Sequence, residues 1–319
     1  MKMAIKRALV TGGAGFIGSH LVDALLDMGC EVVVFDNLST GHIRNLEQVR
    51  KDIDFREGDI RDLESMRESA AGCDVIFHLA AVVSVPQTVA DPIHSAHVND
   101  MGTLNVLEAA RLQAVNRVVL SSSCAVYGDD PEIPKHEDML LRAQSPYAVQ
   151  KLTNELNACL YAKLYGLDTV CLRYFNVFGP RQDPSSPYSG VISIFMTRAV
   201  AKKAPVIYGN GRQFRDFIFV ADVVQANMLA AASQNTGGAV FNIGTGKHVR
   251  INQLWEVIAV MAGTKLSPVY EQSRPGDIIE SVAAIHKAGD RLGFKPQTSF
   301  QEGLQKTFNW YCGGENHDI

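Results

Sequence analysis

The sequence predicts an α/β fold, a doubly wound parallel sheet with a smaller C-terminal domain. Three observations carry that prediction. Short apolar runs alternate with longer helical stretches through the first half of the 319 residues. The runs are apolar enough to belong to strands covered on both faces. A glycine-rich turn lies directly behind the first of them.

Residues 7–10 read as the first strand, 16–28 as a helix and 31–35 as a second strand. Residues 53–56 are a third strand, 63–70 a helix and 75–79 a fourth strand. A long helix is expected over 92–112 and a strand over 117–121. Pro146 opens the next helix, where its missing N–H costs nothing, and Gly166 closes it near Tyr165. A strand follows at 169–173. After Gly179-Pro180 the texture changes, and 183–187 is a loop by composition. Residues 191–203 read as helix, 206–208 as a strand, Gly209-Asn210-Gly211 as a tight turn and 251–262 as a helix. The expected division is 1–178 for the larger domain, with 215–245 returning to it, and 179–214 with 246–319 for the smaller one.

Composition narrows the class. The chain is 46% apolar and 20% charged, with 30 basic and 34 acidic residues and a net charge of -4. No long basic run marks nucleic acid or an anionic membrane as a partner. No apolar stretch is long enough to span a bilayer. The first residues, with Lys2, Lys6 and Arg7, are interrupted by Thr11-Gly12-Gly13 and read as a strand rather than a leader. The six cysteines are scattered without metal spacing, as in reduced thiols of a cytoplasmic protein. His78 and His97 have no ligand cluster around them, so no metal is expected.

The turn Thr11-Gly12-Gly13-Ala14-Gly15-Phe16-Ile17-Gly18 fits a Rossmann-type dinucleotide site. Glycines there permit the tight turn and let the backbone approach a pyrophosphate. The helix that follows offers free N–H groups and the positive end of its dipole. Asp36, 18 positions after Gly18, ends the second strand where an acid can bind a ribose diol. The competing reading of Asp36 is a plain turn residue. Asn37 and Leu38 follow it, with no adjacent Arg for a 2′-phosphate, which favours NAD over NADP.

Tyr147 and Lys151 lie four apart on a predicted helix and so share one face. An ammonium beside a phenol favours the phenolate, and such a tyrosine can remove a hydroxyl proton as hydride leaves the same carbon. Tyr-x-x-x-Lys alone is a common pattern, equally consistent with an exposed helix face. The run Ser121-Ser122-Ser123 at a strand end adds weight, because open α/β sheets bind ligands at the carboxyl ends of their strands.

With these residues in place the sequence resembles the extended short-chain dehydrogenase/reductase family. Further stretches are similar to its UDP-hexose 4-epimerase branch: Ser121-Ser122-Ser123-Cys124-Ala125-Val126-Tyr127-Gly128, Ser145-Pro146-Tyr147, Arg173-Tyr174-Phe175-Asn176-Val177-Phe178-Gly179-Pro180, Arg215-Asp216-Phe217 and Arg274-Pro275-Gly276-Asp277. The resemblance covers nearly the whole chain. It implies catalytic roles for Ser123, Tyr147 and Lys151. For NAD it implies Gly12, Gly15, Phe16, Ile17, Gly18, Asp36, Asn37, Asp59, Ile60, Leu79, Ala80, Ala81, Asn99, Ser121 and Tyr174, together with Tyr147 and Lys151. For a UDP-sugar it implies Ser84, Ser123, Tyr147, Asn176, Val191, Tyr208, Arg215, Arg274, Asp277 and Ser281. It also implies a homodimer built from the helices near 92–112 and 147–165.

Within the family, related dehydratases and decarboxylases carry acids just before Val-Tyr-Gly. Here those positions are Cys124 and Ala125, so the resemblance implies epimerisation at C4 through a transient 4-keto sugar. Ser281 occupies the position beside the sugar's 2-substituent, where a small residue leaves room for an N-acetyl group. The loop Arg181-Gln182-Asp183-Pro184 and the Ser189-Gly190 pair resemble the branch favouring N-acetylated substrates. UDP-N-acetylglucosamine and UDP-N-acetylgalactosamine are the expected pair, with UDP-glucose and UDP-galactose open. A uronate epimerase, a 4,6-dehydratase and a non-catalytic NAD-binding regulator are the alternatives.

Overall fold

The computed structural model describes residues 5–183, 190–234, 236–273 and 280–313. The chain begins β1 (Arg7–Thr11), α1 (Phe16–Asp27), β2 (Glu31–Asp36), β3 (Ile53–Glu57), α2 (Leu63–Ala70) and β4 (Val75–His78). Two short helices follow, α3 (Val85–Ala90) and α4 (Pro92–Ala96), then α5 (Gly102–Leu112) and β5 (Arg117–Ser123). Next come α6 (Pro146–Tyr165), β6 (Asp168–Tyr174), β7 (Asn176–Phe178), α7 (Val191–Val200), β8 (Val206–Tyr208), β9 (Phe214–Arg215) and β10 (Phe217–Phe219). The rest is α8 (Val220–Ala232), β11 (Ala239–Ile243), β12 (Val249–Arg250), α9 (Ile251–Met261), β13 (Val269–Glu271), β14 (Glu280–Ser281), α10 (His286–Leu292) and α11 (Phe300–Cys312).

Seven of these strands form one sheet in the order β11-β6-β5-β4-β1-β2-β3. Every neighbouring pair in it is parallel. The order reverses between β1 and β4, and the crevice outside the strand ends at such a reversal is where open α/β sheets take ligands. Leu21 and Leu25 of α1, Val223 and Ala230 of α8 and Ala288 of α10 pack on one face. Met66 of α2, Val106, Leu107 and Ala110 of α5 and Ala158 of α6 cover the other. This is the expected Rossmann-type fold.

Local chemistry sets the ends of the helices. Asp62 caps α2 by accepting from the N–H groups of Glu64 at 3.0 Å and Ser65 at 3.3 Å. Ser145 caps α6 through the Ala148 N–H at 3.2 Å, with Pro146 in its first position. Gly166 ends it in the left-handed region, at φ 70°.

The long helix expected over 92–112 is not uninterrupted. Residues His97–Met101 form a π-turn between α4 and α5. One extra residue in the turn rotates Asn99 inward, a local widening that helices often carry at functional sites. The helix expected over 191–203 stops at Val200, and Lys202 takes φ 52°.

β11, in the stretch expected to return to the larger domain, pairs with β6 and extends the large sheet. The smaller lobe packs α7, α9 and α11 around Phe195, Trp255, Leu304 and Tyr311. Its strands are two or three residues long. β9 lies between β12 and β14, and β8 pairs with β13. Among the described residues no helix is long and apolar enough to cross a membrane.

Candidate active site

The first part of the site is the turn after β1. Gly12 adopts φ +69°, and a Cβ there would stand 2.7 Å from the Ala80 backbone nitrogen. A Cβ on Gly18 would run into the Gly12 carbonyl and lie 2.8 Å from Gly13 Cα. The glycines let the turn, α1 and the segment after β4 close on one another. Gly15 precedes α1 without a side-chain cap, and Phe16 and Ile17 are the helix's first residues. Their N–H groups face the crevice end of the sheet.

Asp36 ends β2. Its Oδ2 accepts the Ala14 N–H at 2.9 Å and its Oδ1 the Leu38 N–H at 2.8 Å. Burial pushes this carboxyl above its usual value, against those two hydrogen bonds. A Cβ on Gly41 would stand 3.0 Å from both carboxylate oxygens, so its absence keeps the space beside them open. At the end of β3, Asn37 Nδ2 donates to Asp59 Oδ2 at 3.0 Å, and Arg61 binds the same oxygen at 2.7 Å. Those bonds, Arg61 first, hold Asp59 at about 2. Ile60 is buried against Gly102.

The segment after β4 brings Leu79, Ala80 and Ala81 against this turn. Thr11 Oγ1 accepts the N–H groups of Leu79 at 3.3 Å and Ala80 at 3.4 Å. His78 bridges Thr11, at 2.8 Å from Nδ1, and Thr103, at 2.9 Å from Nε2. The Thr103 hydroxyl donates to the Asn99 carbonyl at 2.6 Å. It must therefore accept from His78, which places the imidazole proton on Nε2. Burial drives His78 down to about 3, so it is neutral in this network. Ser84 caps α3 by accepting the Gln87 N–H at 3.2 Å.

Ser123, Tyr147 and Lys151 converge where β5 meets α6. Ser123 Oγ accepts the Ala125 N–H at 3.2 Å and stands beside the Tyr147 hydroxyl. Lys151 Nζ donates to the Ser121 carbonyl at 2.9 Å and lies 3.4 Å from its hydroxyl. Nζ is 5.9 Å from the centroid of the Tyr147 ring. The expected lowering of the phenol by this ammonium is not met by the protein's own groups. Burial pushes Tyr147 up to about 12, opposed by the Ser123 hydroxyl. Burial lowers Lys151 to about 8, because the carbonyl and hydroxyl of Ser121 replace only part of its hydration.

Beneath these groups runs a network that the sequence reading did not assign. Ser122 Oγ donates to Glu155 Oε1 at 2.5 Å, and Arg173 binds both oxygens of Glu155 at 2.8 and 2.7 Å. Arg173 also donates to the Tyr127 hydroxyl at 2.8 Å, which donates to Asn242 Oδ1 at 2.7 Å. The network ties the ends of β5, β6 and β11 to α6. Removing one partner of such a buried pair leaves an uncompensated charge.

The other wall belongs to the smaller lobe. Arg215 on β9 pairs in register with Ser281 on β14. The Ser281 hydroxyl lies beside the thiol of Cys124, and Arg215 acts on that thiol electrostatically. Burial pushes Cys124 up to about 11, so it is a neutral thiol. Asn176 Nδ2 donates to the Asp216 carbonyl at 3.0 Å. Val191 opens α7, and Tyr208 ends β8. Arg274, Asp277 and Ser189 lie outside the described residues.

Tyr174 ends β6 with its ring in the core, and its hydroxyl donates to Asn227 Oδ1 at 3.0 Å. Asp216 stands in a motif singled out by resemblance, yet its own role was missed. It is fully buried, and accepts from the Thr245 N–H at 2.8 Å, the Thr245 hydroxyl at 2.6 Å, and the N–H groups of Gly246 at 2.9 Å and Ala283 at 3.1 Å. Its backbone meets Asn176 and Ser281. An acid between Arg215 and Phe217 in an otherwise apolar stretch was the available signal.

Among the described residues no cluster of His, Cys, Asp and Glu could hold a metal. The glycine cradle, Asp36 and Ser123 stand at the carboxyl ends of β1, β2 and β5 in one parallel sheet, with Tyr147 and Lys151 brought to the last of them by α6. A family model described as the NAD dependent epimerase/dehydratase family matches residues 8–244. The UDP-glucose 4-epimerase of Mycolicibacterium smegmatis is 41% identical over 309 residues, covering 96% of this chain and 98% of the relative. The solved UDP-N-acetylglucosamine 4-epimerase of Methanobrevibacter ruminantium, in complex with UDP-N-acetylmuramic acid, is 41% identical. It superposes with a TM-score of 0.93 over 98% of this chain and 99% of that one. The Thermus thermophilus UDP-glucose 4-epimerase, solved with NAD, is 38% identical, with a TM-score of 0.88 over 97% and 99%. This chain belongs to the NAD dependent epimerase/dehydratase family of enzymes.

Proposed function

We propose that this enzyme inverts C4 of a UDP-hexose with NAD as cofactor, and that its substrates carry an N-acetyl group at C2. The family spans more than one reaction, so membership alone does not choose among them. The observation that carries the reading is the pairing of Ser123 and Tyr147 beside a neutral Cys124 and an Ala125. Removing a C5 proton and expelling a hydroxyl, as a dehydratase does, needs an acid where those two residues stand. Proton exchange at a single hydroxyl needs only the pair.

The residues present fit NAD. The pyrophosphate would lie on the turn of Gly12 and Gly15 and the start of α1, where a Cβ would fill the cradle. Asp36 has lone pairs left for a ribose diol after its two backbone bonds. Asp59, Ile60 and Leu79–Ala81 would flank the rest. Bound NAD would supply a hydride acceptor and donor at C4 and a positive ring near the phenol.

Tyr147 takes the proton of the 4-hydroxyl, and the Ser123 hydroxyl beside it holds the same oxygen. At neutral pH Tyr147 keeps its own proton unless positive charge gathers beside it. Lys151, held by Ser121 and 5.9 Å from the Tyr147 ring, does not lower the phenol on its own, so the positive ring of bound NAD would have to supply that charge. The 4-keto sugar then turns about its bond to the diphosphate, while Arg215 and Asn176 keep UDP in place. Tyr147 then returns the proton to the oxygen at C4. Ser281 beside Cys124 keeps this wall small where the 2-substituent would lie.

The same reading implies a homodimer. Leu156, Leu160 and Leu164 form an exposed stripe on α6 at spacing four, with Ile93 exposed on α4.

The test is direct. Purified enzyme is incubated with UDP-N-acetylglucosamine or UDP-glucose, and products are resolved by anion exchange and proton NMR. The C4 epimer should form from the N-acetylated sugar at the higher rate, and Ser281→Tyr should reverse the preference. A stable keto product, or no epimer from either sugar, would refute the assignment of the reaction.

A further inference from the structure

We propose that Gln150 is a positioning residue that fixes the amide of Asn99 and, through it, the segment 79–82 facing the cofactor. The proposal deepens the cofactor placement given above and rests on it.

Asn99 sits on the π-turn and is 1% exposed. Its Oδ1 accepts the Val82 N–H at 2.8 Å, and its Nδ2 donates to the Val82 carbonyl at 3.0 Å. One side-chain amide thus meets both backbone groups of a residue that has left the sheet. Those backbone groups decide which end of the Asn99 amide is oxygen. The remaining hydrogen on Nδ2 goes to Gln150 Oε1 at 2.7 Å. Gln150 Nε2 donates to Ser95 Oγ at 2.9 Å, and the Ser95 hydroxyl donates to the Pro92 carbonyl at 3.0 Å. The hydrogen bonds run in one direction from Val82 to Pro92, and each group has one orientation that satisfies it.

The segment is therefore held at two points. Thr11 holds Leu79 and Ala80 from β1. Asn99 holds Val82 from the helix side. Gln150 is the member of this chain of bonds that belongs to α6, one residue before Lys151 and three after Tyr147. It is 4% exposed, so no solvent replaces it when it is lost. Without its oxygen, the second Asn99 hydrogen is buried with no acceptor, and the amide can satisfy itself only by leaving Val82. Gln150 in this way ties the catalytic helix to the wall on which the cofactor rests.

The experiment uses Gln150→Met, which keeps the length of the side chain and removes both polar ends. Hydrogen exchange at the Val82 amide is measured on the purified protein. NAD affinity is measured by calorimetry after nucleotide is stripped with charcoal. Val82 exchange should rise about tenfold and NAD affinity should fall about tenfold, as for loss of one buried hydrogen bond. The pH dependence of kcat should stay as in the parent enzyme, because Tyr147 and Ser123 are untouched. Ser95→Ala should move both quantities in the same direction by less.

Equal Val82 exchange in Gln150→Met and the parent overturns the proposal, whatever NAD does. If Gln150→Met does not fold, unchanged Val82 exchange in Ser95→Ala overturns it instead. A parent enzyme that does not bind NAD refutes the cofactor placement separately, because the exchange at Val82 reads Gln150 without any nucleotide.

Discussion

The two walls of the crevice are built in different ways. The wall of β1, β2 and β4 consists of parallel strands inside a seven-stranded sheet, whose ends deliver Gly12, Asp36 and Leu79 at neighbouring positions. The facing wall uses β9 and β14, strands of two residues each, with Arg215 and Ser281 brought into register by tertiary pairing. The first is rigid because the sheet and its two helical layers determine it many times over. The second depends on few bonds, and Asp216 gathers most of them. In the proposed reaction the first wall would carry the cofactor and the second the UDP about which the sugar turns.

The largest expected effect falls on the seam between the walls. Tyr147→Phe should lower kcat by about 10³-fold, the scale of a lost general base, with NAD and UDP affinities near those of the parent. A parallel fall in NAD affinity would place Tyr147 in binding rather than chemistry. Asp216→Asn should strike the second wall. It sets an NH₂ group against backbone donors and should cost about 2–4 kcal/mol, seen as weaker UDP binding while NAD affinity changes little. Gly12→Ala is the reverse. Its Cβ meets the Ala80 backbone at positive φ, and stability should fall by about 1–3 kcal/mol, with NAD affinity lost before UDP affinity. If both variants weaken the two ligands equally, the walls are one unit and the contrast drawn above is wrong.

The smallest effect concerns Lys151, whose ammonium is lowered from 10.5 to about 8 by burial. Between those values the unfolded chain binds more protons than the folded one, so stability rises with pH across that window. Below pH 8 the cost of burying the charge is fully present. Lys151→Met should therefore stabilise the protein by about 1–2 kcal/mol at pH 7 while lowering activity, and the gain should shrink as pH approaches 10.5. Chemical denaturation at pH 7 and pH 10 reads both.

Much of the first wall was legible in the sequence because its signals are local. A glycine turn, a helix start and an acid at the next strand end lie within 25 positions, Gly12 to Asp36. Ser123, Tyr147 and Lys151 were legible for the same reason, as a strand end and one face of one helix. The π-turn was not. The spacing of apolar residues over 92–112 fits an unbroken helix, and the extra residue is selected by Val82, 17 positions upstream of Asn99. Glu155 looked like an ordinary charged residue, and Arg173 and Asp216 stood in motifs without roles of their own, until the fold buried Arg173 against Glu155 and set Asp216 on the backbone of Thr245, Gly246 and Ala283. The effect of Lys151 on Tyr147 was misjudged because spacing along a helix gives a shared face but not the competing carbonyl of Ser121.

The sequence by itself determined the parallel sheet, the glycine turn and the grouping of Ser123, Tyr147 and Lys151, since periodicity and backbone sterics act over a few residues. Only the tertiary structure decided which polar groups are buried, how Asn99 is turned and where Ser281 meets Cys124. Desolvation and hydrogen-bond satisfaction depend on what surrounds a group in space, and in a doubly wound sheet those surroundings come from distant parts of the chain.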